Sequence, residues 1–268
     1  MRFGITANPS SERARRLAKR FLSVIPKEHE VIVEDDLAHT LEERGIPLKE
    51  IACDVLVAIG GDGTILRAMQ VQDTPILGVD AGIVGFLTEV KEDDIEQSVE
   101  RTIRKDYLLD ERPKLKVLVD QKRLFDCTNE AVIHTSSISK MRHFQVRING
   151  KVAEEVRADG VIVATPTGST SYTMSVGGPI VDPAVQAIVI ALIAPFKLSI
   201  RPLVVSLEST IEISLINPRP CTLVLDGQAE FPLNGHERLT FAQSEKKARF
   251  IRFSQDFYKR IEEKLLTQ

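Results

Sequence analysis

Short apolar runs alternate with helical patterns over the first 112 residues of the chain. Residues 55–59 are continuously apolar, as expected of a parallel strand that is covered on both faces. Apolar residues between Ala14 and Leu22 recur at helical spacing, which predicts an amphipathic helix that is capped by Ser10 and ends before Pro26. Further apolar runs at 3–7, 31–33 and 75–79 and a helical pattern at 95–103 continue the alternation. This order predicts an α/β domain over residues 1–112, with helices on both sides of an open parallel sheet.

After Pro113 the pattern changes to a period of two residues, which is typical of strands. Residues 115–119 alternate in this way, and Asn149-Gly150 has the composition of a two-residue hairpin turn. Strand-like runs follow at 203–207, 211–215, 221–225 and 249–253. The pattern predicts a β-rich second domain over residues 113–253.

The end of the chain returns to a helical pattern. Phe257, Ile261 and Leu265 share one face, which predicts a C-terminal helix within residues 254–268. Because that apolar face must be buried, we expect the helix to pack back on the first domain.

The balance of charges argues against a nucleic-acid partner. The formal net charge is −3 at pH 7, which provides no overall attraction for a phosphate backbone. The basic residues between Arg13 and Arg20 fall on the polar face of the predicted first helix, where solvated charges are expected in any case. No run approaches the roughly 20 apolar residues of a membrane span. We therefore expect neither nucleic acid nor membrane among the partners.

The cysteines indicate a reducing compartment. Cys53, Cys127 and Cys221 are far apart, and no Cys-x-x-Cys pair or His-Glu-x-x-His pattern occurs. Neither a disulfide framework nor a structural zinc site is therefore expected. Since no apolar signal segment follows the charged start of the chain, we expect a cytoplasmic protein.

A glycine-rich turn, Gly60-Gly61-Asp62-Gly63-Thr64, stands between the strand at 55–59 and a helical pattern that begins at Ile65. Ligands of open α/β sheets bind beyond the carboxyl ends of the strands, where glycines let backbone N–H groups approach an anion. The charge of Asp62 repels a phosphate, but a carboxylate can accept the proton of a hydroxyl group that attacks phosphorus. The alternative is that Asp62 only caps the helix. We favour a phosphoryl-transfer enzyme with Asp62 as its key carboxylate.

Other familiar sites lack their motifs. The chain has no Gly-x-x-x-x-Gly-Lys-Ser/Thr and is not a P-loop NTPase. Gly61-x-Gly63 lacks the third glycine of the dinucleotide fingerprint, so a hydride-transfer enzyme of the Rossmann type is not supported. No Gly-x-Ser-x-Gly elbow occurs, so a serine hydrolase is not supported either.

Two polar segments further along the chain add candidate binding groups. Asn129-Glu130 offers an amide beside a carboxylate, which can bind the vicinal hydroxyls of a ribose, although a loop on the surface often has the same composition. Residues 165–172 read Thr-Pro-Thr-Gly-Ser-Thr-Ser-Tyr, with hydroxyl groups for sugar and phosphate and a ring for stacking. The alternative for this segment is a polar turn that caps a helix. Asp226-Gly227-Gln228 is weak evidence for a binding site by itself.

Together these segments resemble the NAD kinase family in order and spacing. The matching segments are Gly60-Gly61-Asp62-Gly63-Thr64, Gly82-x-x-Gly85-Phe86-Leu87, Asn129-Glu130, Asp159-Gly160, the run 165–172, Gly177-Gly178-Pro179 and Arg201-Pro202-Leu203. The first motif is shared with diacylglycerol kinases, sphingosine kinases and phosphofructokinases. The resemblance implies a Rossmann-like N-terminal domain and a C-terminal all-β sandwich domain. It also implies an active site between domains and between subunits, in a homodimer or homotetramer.

The resemblance implies a reaction as well. A phosphoryl group passes from ATP to the 2′-hydroxyl of the adenosine ribose of NAD and gives NADP, with polyphosphate an open alternative as donor. Asp62 is then the catalytic carboxylate, and Asn129 and Glu130 clamp the adenosine ribose. The other substrate-binding residues that it implies are Gly63, Arg67, Phe86, Lys140, Arg157, Asp159, Thr170, Ser171, Tyr172, Thr173, Met174, Ser175 and Gln228. Because no carboxylates or histidines have metal-ligand spacing, we expect Mg²⁺ to arrive with the phosphates of ATP.

Two positions depart from the family's pattern. Asp80 stands where Asn is common, two residues before Gly82, and Ser171 stands where Ala is frequent. Asp80 places a second carboxylate near the site, where it is expected to alter donor contacts or raise the pKa of a neighbour.

Two other functions stay open at this point. A lipid kinase of the diacylglycerol type shares the first motif, but no membrane-binding helix or lipid anchor is evident. A non-catalytic NAD(P) sensor would keep the pocket, but it has no need of Asp62.

Overall fold

Residues from both ends of the chain build the first of its two units. The computed structural model describes residues 1–41, 44–82, 85–197, 199–254 and 257–263. The first unit contains residues 1–111 together with 248–268, and the second contains residues 112–247. The pattern assigned residues up to 253 to the second domain, whereas the last strand returns to the first unit from Ala248 onward. The reason is that Ala248, Phe250 and Ile251 are buried in the apolar clusters of the first unit.

A parallel sheet forms the centre of the first unit. Its strands are β1 (Arg2–Ala7), β2 (Glu30–Glu34), β3 (Gly45–Ile46), β4 (Val55–Gly60), β5 (Ile76–Asp80) and the end of β17 (Leu239–Arg252). They lie in the order β17-β5-β4-β1-β2-β3, and each neighbouring pair is parallel. Every residue of β4 is buried, as its continuous apolar run predicts.

Helices cover both faces of this sheet. They are α1 (Glu12–Val24), α2 (Asp35–Leu41), α3 (Asp62–Val71) and α4 (Ile95–Ile103). Val57 of β4 packs in one cluster with α1, α2 and α4, whereas its neighbour Leu56 packs in another with α3. The predicted α/β fold class with an open parallel sheet is confirmed.

The first helix differs from its prediction by one residue at the cap. The hydroxyl of Ser11, not that of Ser10, accepts a hydrogen bond from the N–H of Ala14 at 3.2 Å. Ser10 instead donates its N–H to the side chain of Asn8 in the preceding turn. The basic face of α1 pairs with α4 and the turn before it, since Arg16 contacts Glu92 at 3.0 Å and Arg20 contacts Glu96 at 2.7 Å.

Two sheets form the second unit. The first contains β9 (Arg142–Ile148), β10 (Lys151–Ala158), β14 (Ile211–Leu215) and the start of β17, with β6 (Leu108–Val119) and β7 (Lys122–Arg123) beside them. The other contains β8 (Glu130–Thr135), β11 (Gly160–Ala164), β12 (Ala187–Ile193), β13 (Leu203–Ser206), β15 (Cys221–Leu225) and β16 (Ala229–Leu233). This second sheet is antiparallel, in the order β13-β12-β11-β8-β15-β16. Asn149 and Gly150 connect β9 to β10 with φ angles of 51° and 78°, as the hairpin prediction requires.

One apolar core lies between the two sheets of the second unit. Phe144 and Phe241 enter it from the first sheet, and Val161, Ile190 and Leu223 enter it from the second. The predicted all-β sandwich is therefore confirmed. The outer face of the second sheet is also apolar, and Val181 covers it together with the chain that follows β11. The central strands β8 and β11 are thus buried on both faces, which fixes the segments at their ends.

Two further short α-helices lie in the described ranges, α5 (Tyr172–Ser175) and α6 (Phe257–Ile261). Phe257 and Ile261 of the predicted C-terminal face are half-buried, and Leu265 lies outside the described residues. Among the helices of the described ranges, none is long and apolar enough to cross a membrane.

Candidate functional site

The carboxylate of Asp62 is held by the backbone of a neighbouring loop in the first unit. β4 ends at Gly60, and α3 begins at Asp62, so this side chain stands at the carboxyl end of a central strand. One carboxylate oxygen accepts the N–H of Phe86 at 2.8 Å, and the other accepts the N–H of Leu87 at 3.0 Å. Each oxygen keeps lone pairs for a further donor, and the side chain is only half-buried. The group is therefore fixed in orientation and still able to accept a proton.

Gly85 makes this approach possible. A Cβ atom at Gly85 would lie 1.9 Å from a carboxylate oxygen of Asp62, closer than any real contact. Ile83 and Val84 lie outside the described residues. At Gly82, the first glycine of the same segment, an added Cβ atom would meet only open space. Gly85 thus allows the loop backbone to come within hydrogen-bond distance of Asp62.

The other residues expected around Asp62 have separate partners. Gly63 is exposed in the first turn of α3. The guanidinium of Arg67 pairs with the buried carboxylate of Glu34 at 2.6 Å and donates to the hydroxyl of Thr6 at 2.8 Å. Asp80 ends the neighbouring strand in register with Gly60, and its side chain accepts the N–H of Gly82 at 3.0 Å.

In the second unit, the buried Asp226, which is not among the residues predicted from the sequence, organises Asn129 and Glu130. The carboxylate of Asp226 accepts the N–H groups of Thr128, Asn129 and Glu130 at 2.8, 2.7 and 3.1 Å. Asp226 has a φ of 51° in the turn between β15 and β16, a conformation that Asp tolerates better than most residues. The Asp-Gly turn after a strand was the signal for this residue, but nothing in it indicates the partner.

The hydroxyl-rich segment after β11 closes over Glu130. Residues Thr167–Thr170 form a 3-10 turn, and the hydroxyl of Ser171 donates to Oε1 of Glu130 at 3.0 Å. A Cβ atom at Gly168 would lie 2.3 Å from the carbonyl oxygen of Asn129, so only glycine allows this contact. The segment and the Asn-Glu pair therefore form one cluster.

The two carboxyl groups of this cluster have different acidities. Burial, together with the nearby charge of Asp226, raises the pKa of Glu130 to about 8. Burial also raises the pKa of Asp226, but only to about 6, because the three N–H groups stabilise its charge. Glu130 is thus the weaker acid of the two and keeps its proton to a higher pH than Asp226.

Several polar atoms of this cluster are buried without a hydrogen-bond partner. They are Oδ1 of Asn129, Oε2 of Glu130, Oγ1 of Thr167 and Oγ1 of Thr173. Within the described part of the chain, no other buried side-chain oxygen lacks a hydrogen-bond partner. An orphaned buried polar atom costs about 1–3 kcal/mol, so their concentration in one place indicates a polar ligand.

The remaining predicted residues divide between the two ends of strands β8 and β11. Thr170, Tyr172, Met174, Ser175 and Gln228 follow the Asn129 end, with Tyr172, Ser175 and Gln228 exposed. Lys140, Arg157 and Asp159 lie at the opposite end. There Thr135 donates its N–H to the carbonyl of Asp159 and its hydroxyl to that of Lys140. Since Gly160 and Ala164 are four residues apart on β11, the two groups are separated by roughly 13 Å along the strand.

Comparison with known protein families covers both units. Residues 3–107 match the ATP-NAD kinase N-terminal domain, and residues 128–253 match the ATP-NAD kinase C-terminal domain. The NAD kinase of Thermoplasma volcanium is 40% identical, over 99% of this chain and 98% of that protein. The NAD kinase of Thermococcus gammatolerans is 43% identical, over 97% of each.

Two crystal structures have the same fold. An NAD kinase from Archaeoglobus fulgidus in complex with ATP has a TM-score of 0.76 and 28% identity, over 98% of this chain and 96% of that chain. Yeast NADH kinase complexed with NADH has a TM-score of 0.91, over 100% of this chain and 88% of that chain. Its identity is 24%, so this second likeness concerns the fold alone.

Gly85→Ala tests the contact between the loop and Asp62. The added methyl group displaces the carboxylate, so both N–H bonds are lost and the free energy of unfolding should fall by about 1–3 kcal/mol. Gly82→Ala is the matched control, because its methyl group meets open space, and it should change stability by less than about 0.5 kcal/mol. Urea unfolding followed by far-UV circular dichroism measures both. Equal stability of the two variants would contradict the contact.

Proposed function

This chain is a member of the NAD kinase family, and from that premise we propose that it transfers the γ-phosphoryl group of ATP to the 2′-hydroxyl of the adenosine ribose of NAD. The main support for NAD as the phosphoryl acceptor is the set of buried oxygens without hydrogen-bond partners around Asn129 and Glu130. ATP as donor is supported by the ATP complex of the Archaeoglobus relative.

A ribose offers hydrogen-bond partners to the buried oxygens of this cluster. Each of its hydroxyl groups can both donate and accept, so vicinal hydroxyls can meet Oδ1 of Asn129 and Oε2 of Glu130 together. Oε1 of Glu130 already accepts from Ser171, which leaves the unpartnered oxygen to face the ligand. The sugar thereby replaces water at atoms that burial has cut off from solvent.

Asp62 supplies the base in this proposal. As the 2′-oxygen forms its bond to the γ-phosphorus, the bond from that phosphorus to the bridging oxygen breaks and ADP leaves. The proton of the 2′-hydroxyl passes to the carboxylate of Asp62. The two N–H groups of the loop hold the carboxylate in one orientation throughout, so no reorganisation is needed during the step.

Mg²⁺ is proposed to enter with ATP and to neutralise the charge of its phosphates. The described acidic residues close enough together to share a metal ion are Glu34, Asp35 and Asp36. The carboxylate of Glu34, however, already accepts from Arg67 and Thr6. This group is therefore a poor resident site, which supports a cation bound mainly through phosphate oxygens.

A homodimer or homotetramer completes the proposal. Lys140, Arg157 and Asp159 lie at the far end of β8 and β11 from the ribose cluster, where a second copy of the chain can use them in its own site. Edge strand β13 also exposes apolar side chains, including Val204, and the nearby Phe196 is 73% exposed. An apolar edge strand of this kind is suited to pairing with another copy.

A cytoplasmic location is part of the same proposal. Cys53, Cys127 and Cys221 are free thiols. Burial raises the pKa of all three, to about 11 for Cys221, so the thiols stay protonated and unreactive at neutral pH. A reducing compartment that supplies NAD and ATP fits these properties.

The role of Asp62 predicts a large loss of turnover in Asp62→Asn. Removal of a general base typically lowers the rate by about 10² to 10⁴, and kcat for NADP formation from NAD, ATP and Mg²⁺ should fall by that factor. Because Asn keeps an acceptor for only one of the two N–H groups, stability is measured in parallel. Asp54→Asn is the matched control, since Asp54 precedes the same strand and also accepts a backbone N–H. If Asp62→Asn keeps more than about a third of the activity, Asp62 is not the base.

The ribose clamp predicts weak binding in Glu130→Ala. Hydrogen bonds to charged groups contribute roughly 1.5–3 kcal/mol, so Kd for NAD should rise about 10- to 100-fold.

The clamp also predicts that the affinity for NAD depends on pH. A ribose hydroxyl that donates to Glu130 favours the ionised carboxylate, so NAD binding releases the proton that Glu130 holds in the empty site. Affinity should therefore increase with pH and level off above about pH 8, and Glu130→Gln should lose that increase.

Titration calorimetry with NAD between about pH 6 and pH 9 checks both variants, with the exposed Glu208→Gln as control. An NAD analogue without the 2′-hydroxyl should bind but not react. Unchanged affinity in Glu130→Ala would remove the clamp. A lipid kinase would ignore NAD, and an NAD(P) sensor would bind it without forming NADP.

A further inference from the structure

The loop that holds Asp62 is itself held from its carbonyl side by two arginines near the end of the chain. Arg260 of α6 donates to the carbonyl of Phe86 at 3.2 Å and to that of Thr88 at 2.9 Å. Arg252, the last residue of β17, donates to the carbonyl of Leu87 at 2.9 Å. Three successive carbonyl groups of the loop thus accept from guanidinium groups while two of its N–H groups bind Asp62.

One peptide unit links Arg260 directly to Asp62. The carbonyl of Phe86 and the N–H of Leu87 belong to the same planar peptide group and point in opposite directions. Arg260 binds the oxygen of this group, and Asp62 binds its hydrogen. Because the group is rigid, fixing its oxygen also fixes the direction of its N–H. A cation on the carbonyl further polarises the N–H and strengthens its bond to the carboxylate.

A buried carboxylate keeps both guanidinium groups in place. Glu89 pairs with Arg252 at 3.2 Å and with Arg260, and it also accepts the N–H of Phe253 at 2.7 Å. The side chains of Glu89 and Arg252 are 4% and 3% exposed, whereas that of Arg260 is 17% exposed. Asp110 balances the second positive charge through Arg252. The cluster is therefore compact and nearly neutral, and it leaves each arginine donors for the loop.

We propose that Arg260 is a positioning residue for phosphoryl transfer, which aims the Phe86-Leu87 peptide at Asp62 so that the carboxylate presents its free lone pair in one direction. The proposal rests on the role proposed above for Asp62. Nothing in the sequence signals it, since Arg260 follows Asp62 by almost two hundred residues and lies in a short terminal helix. The C-terminal helix thereby contributes to the reaction without contact with a substrate.

Arg260 is a better test than Arg252. Arg252 is almost fully buried in the strand that completes the sheet, so its loss disturbs the fold of the first unit. The side chain of Arg260 is partly exposed, and its removal leaves the pair between Glu89 and Arg252. Arg260→Ala should therefore fold, lower kcat roughly 10-fold or more, and leave KM for NAD within about twofold of its original value.

A double-mutant cycle separates positioning from general destabilisation. If Arg260 acts through Asp62, then Arg260→Ala should lower kcat less than about twofold in the Asp62→Asn background. Hydrogen exchange measured by mass spectrometry should show faster exchange in Arg260→Ala for a peptide that covers Phe86 and Leu87. Arg104→Ala is the control, because it removes an exposed guanidinium from the same unit. It should change neither quantity.

The outcomes are distinct for each proposal. An active Asp62→Asn would remove the role of Asp62, whatever Arg260 does. A strongly impaired Asp62→Asn in which Arg260→Ala still lowers kcat by its full factor would overturn only the positioning role. Should Arg260→Ala not fold, Arg260→Lys enters the same cycle, since an ammonium group lacks the planar fork that reaches both carbonyls. Retention of full kcat by that variant would also overturn the proposal.

Discussion

A carboxylate that leaves water must find its hydrogen bonds in the protein, and in both units the donors are backbone N–H groups of a neighbouring turn. Asp62 receives two of them and Asp226 receives three. These bonds require that the backbone come very close, which explains the glycine at 85 beside Asp62. The positions of the loops around the two carboxylates, and therefore of the side chains that those loops carry, depend on these few contacts.

The same requirement explains why two neighbouring carboxyl groups behave differently. Asp226 is the more buried, yet it remains the stronger acid because its charge is surrounded by donors. Burial and the nearby charge of Asp226 raise the pKa of Glu130, and the hydrogen bond from Ser171 offsets that shift only in part. Asp226 thus positions the backbone of residues 128–130, and the unpartnered oxygen of Glu130 supports the proposed ribose site.

Sequence reasoning succeeds where the cause of a structure is local. The apolar run of β4 and the Asn149-Gly150 turn were predicted correctly because burial on both faces and positive φ angles restrict the residues involved. The cap of α1 was placed one residue early, since Ser10 and Ser11 are equivalent in sequence and only the backbone decides between them. Asp226 and Arg260 were missed for another reason. Their partners lie far away in the chain, and an Asp-Gly turn or a charged helix residue gives no sign of which amide or carbonyl it will meet.

The return of the chain end to the first unit has a consequence for biosynthesis. The ribosome synthesises residues 1–111 well before it reaches Ala248. At about 5–20 residues per second, the interval between the two is on the order of ten seconds. Until then the nascent sheet lacks the strand that pairs with β5, and the loop beside Asp62 lacks both of its arginines. With the positioning role proposed for Arg260, the carboxylate is therefore assembled early but aligned last. On that proposal, a growing polypeptide has the glycine-rich turn but cannot direct its carboxylate until Arg260 has been synthesised.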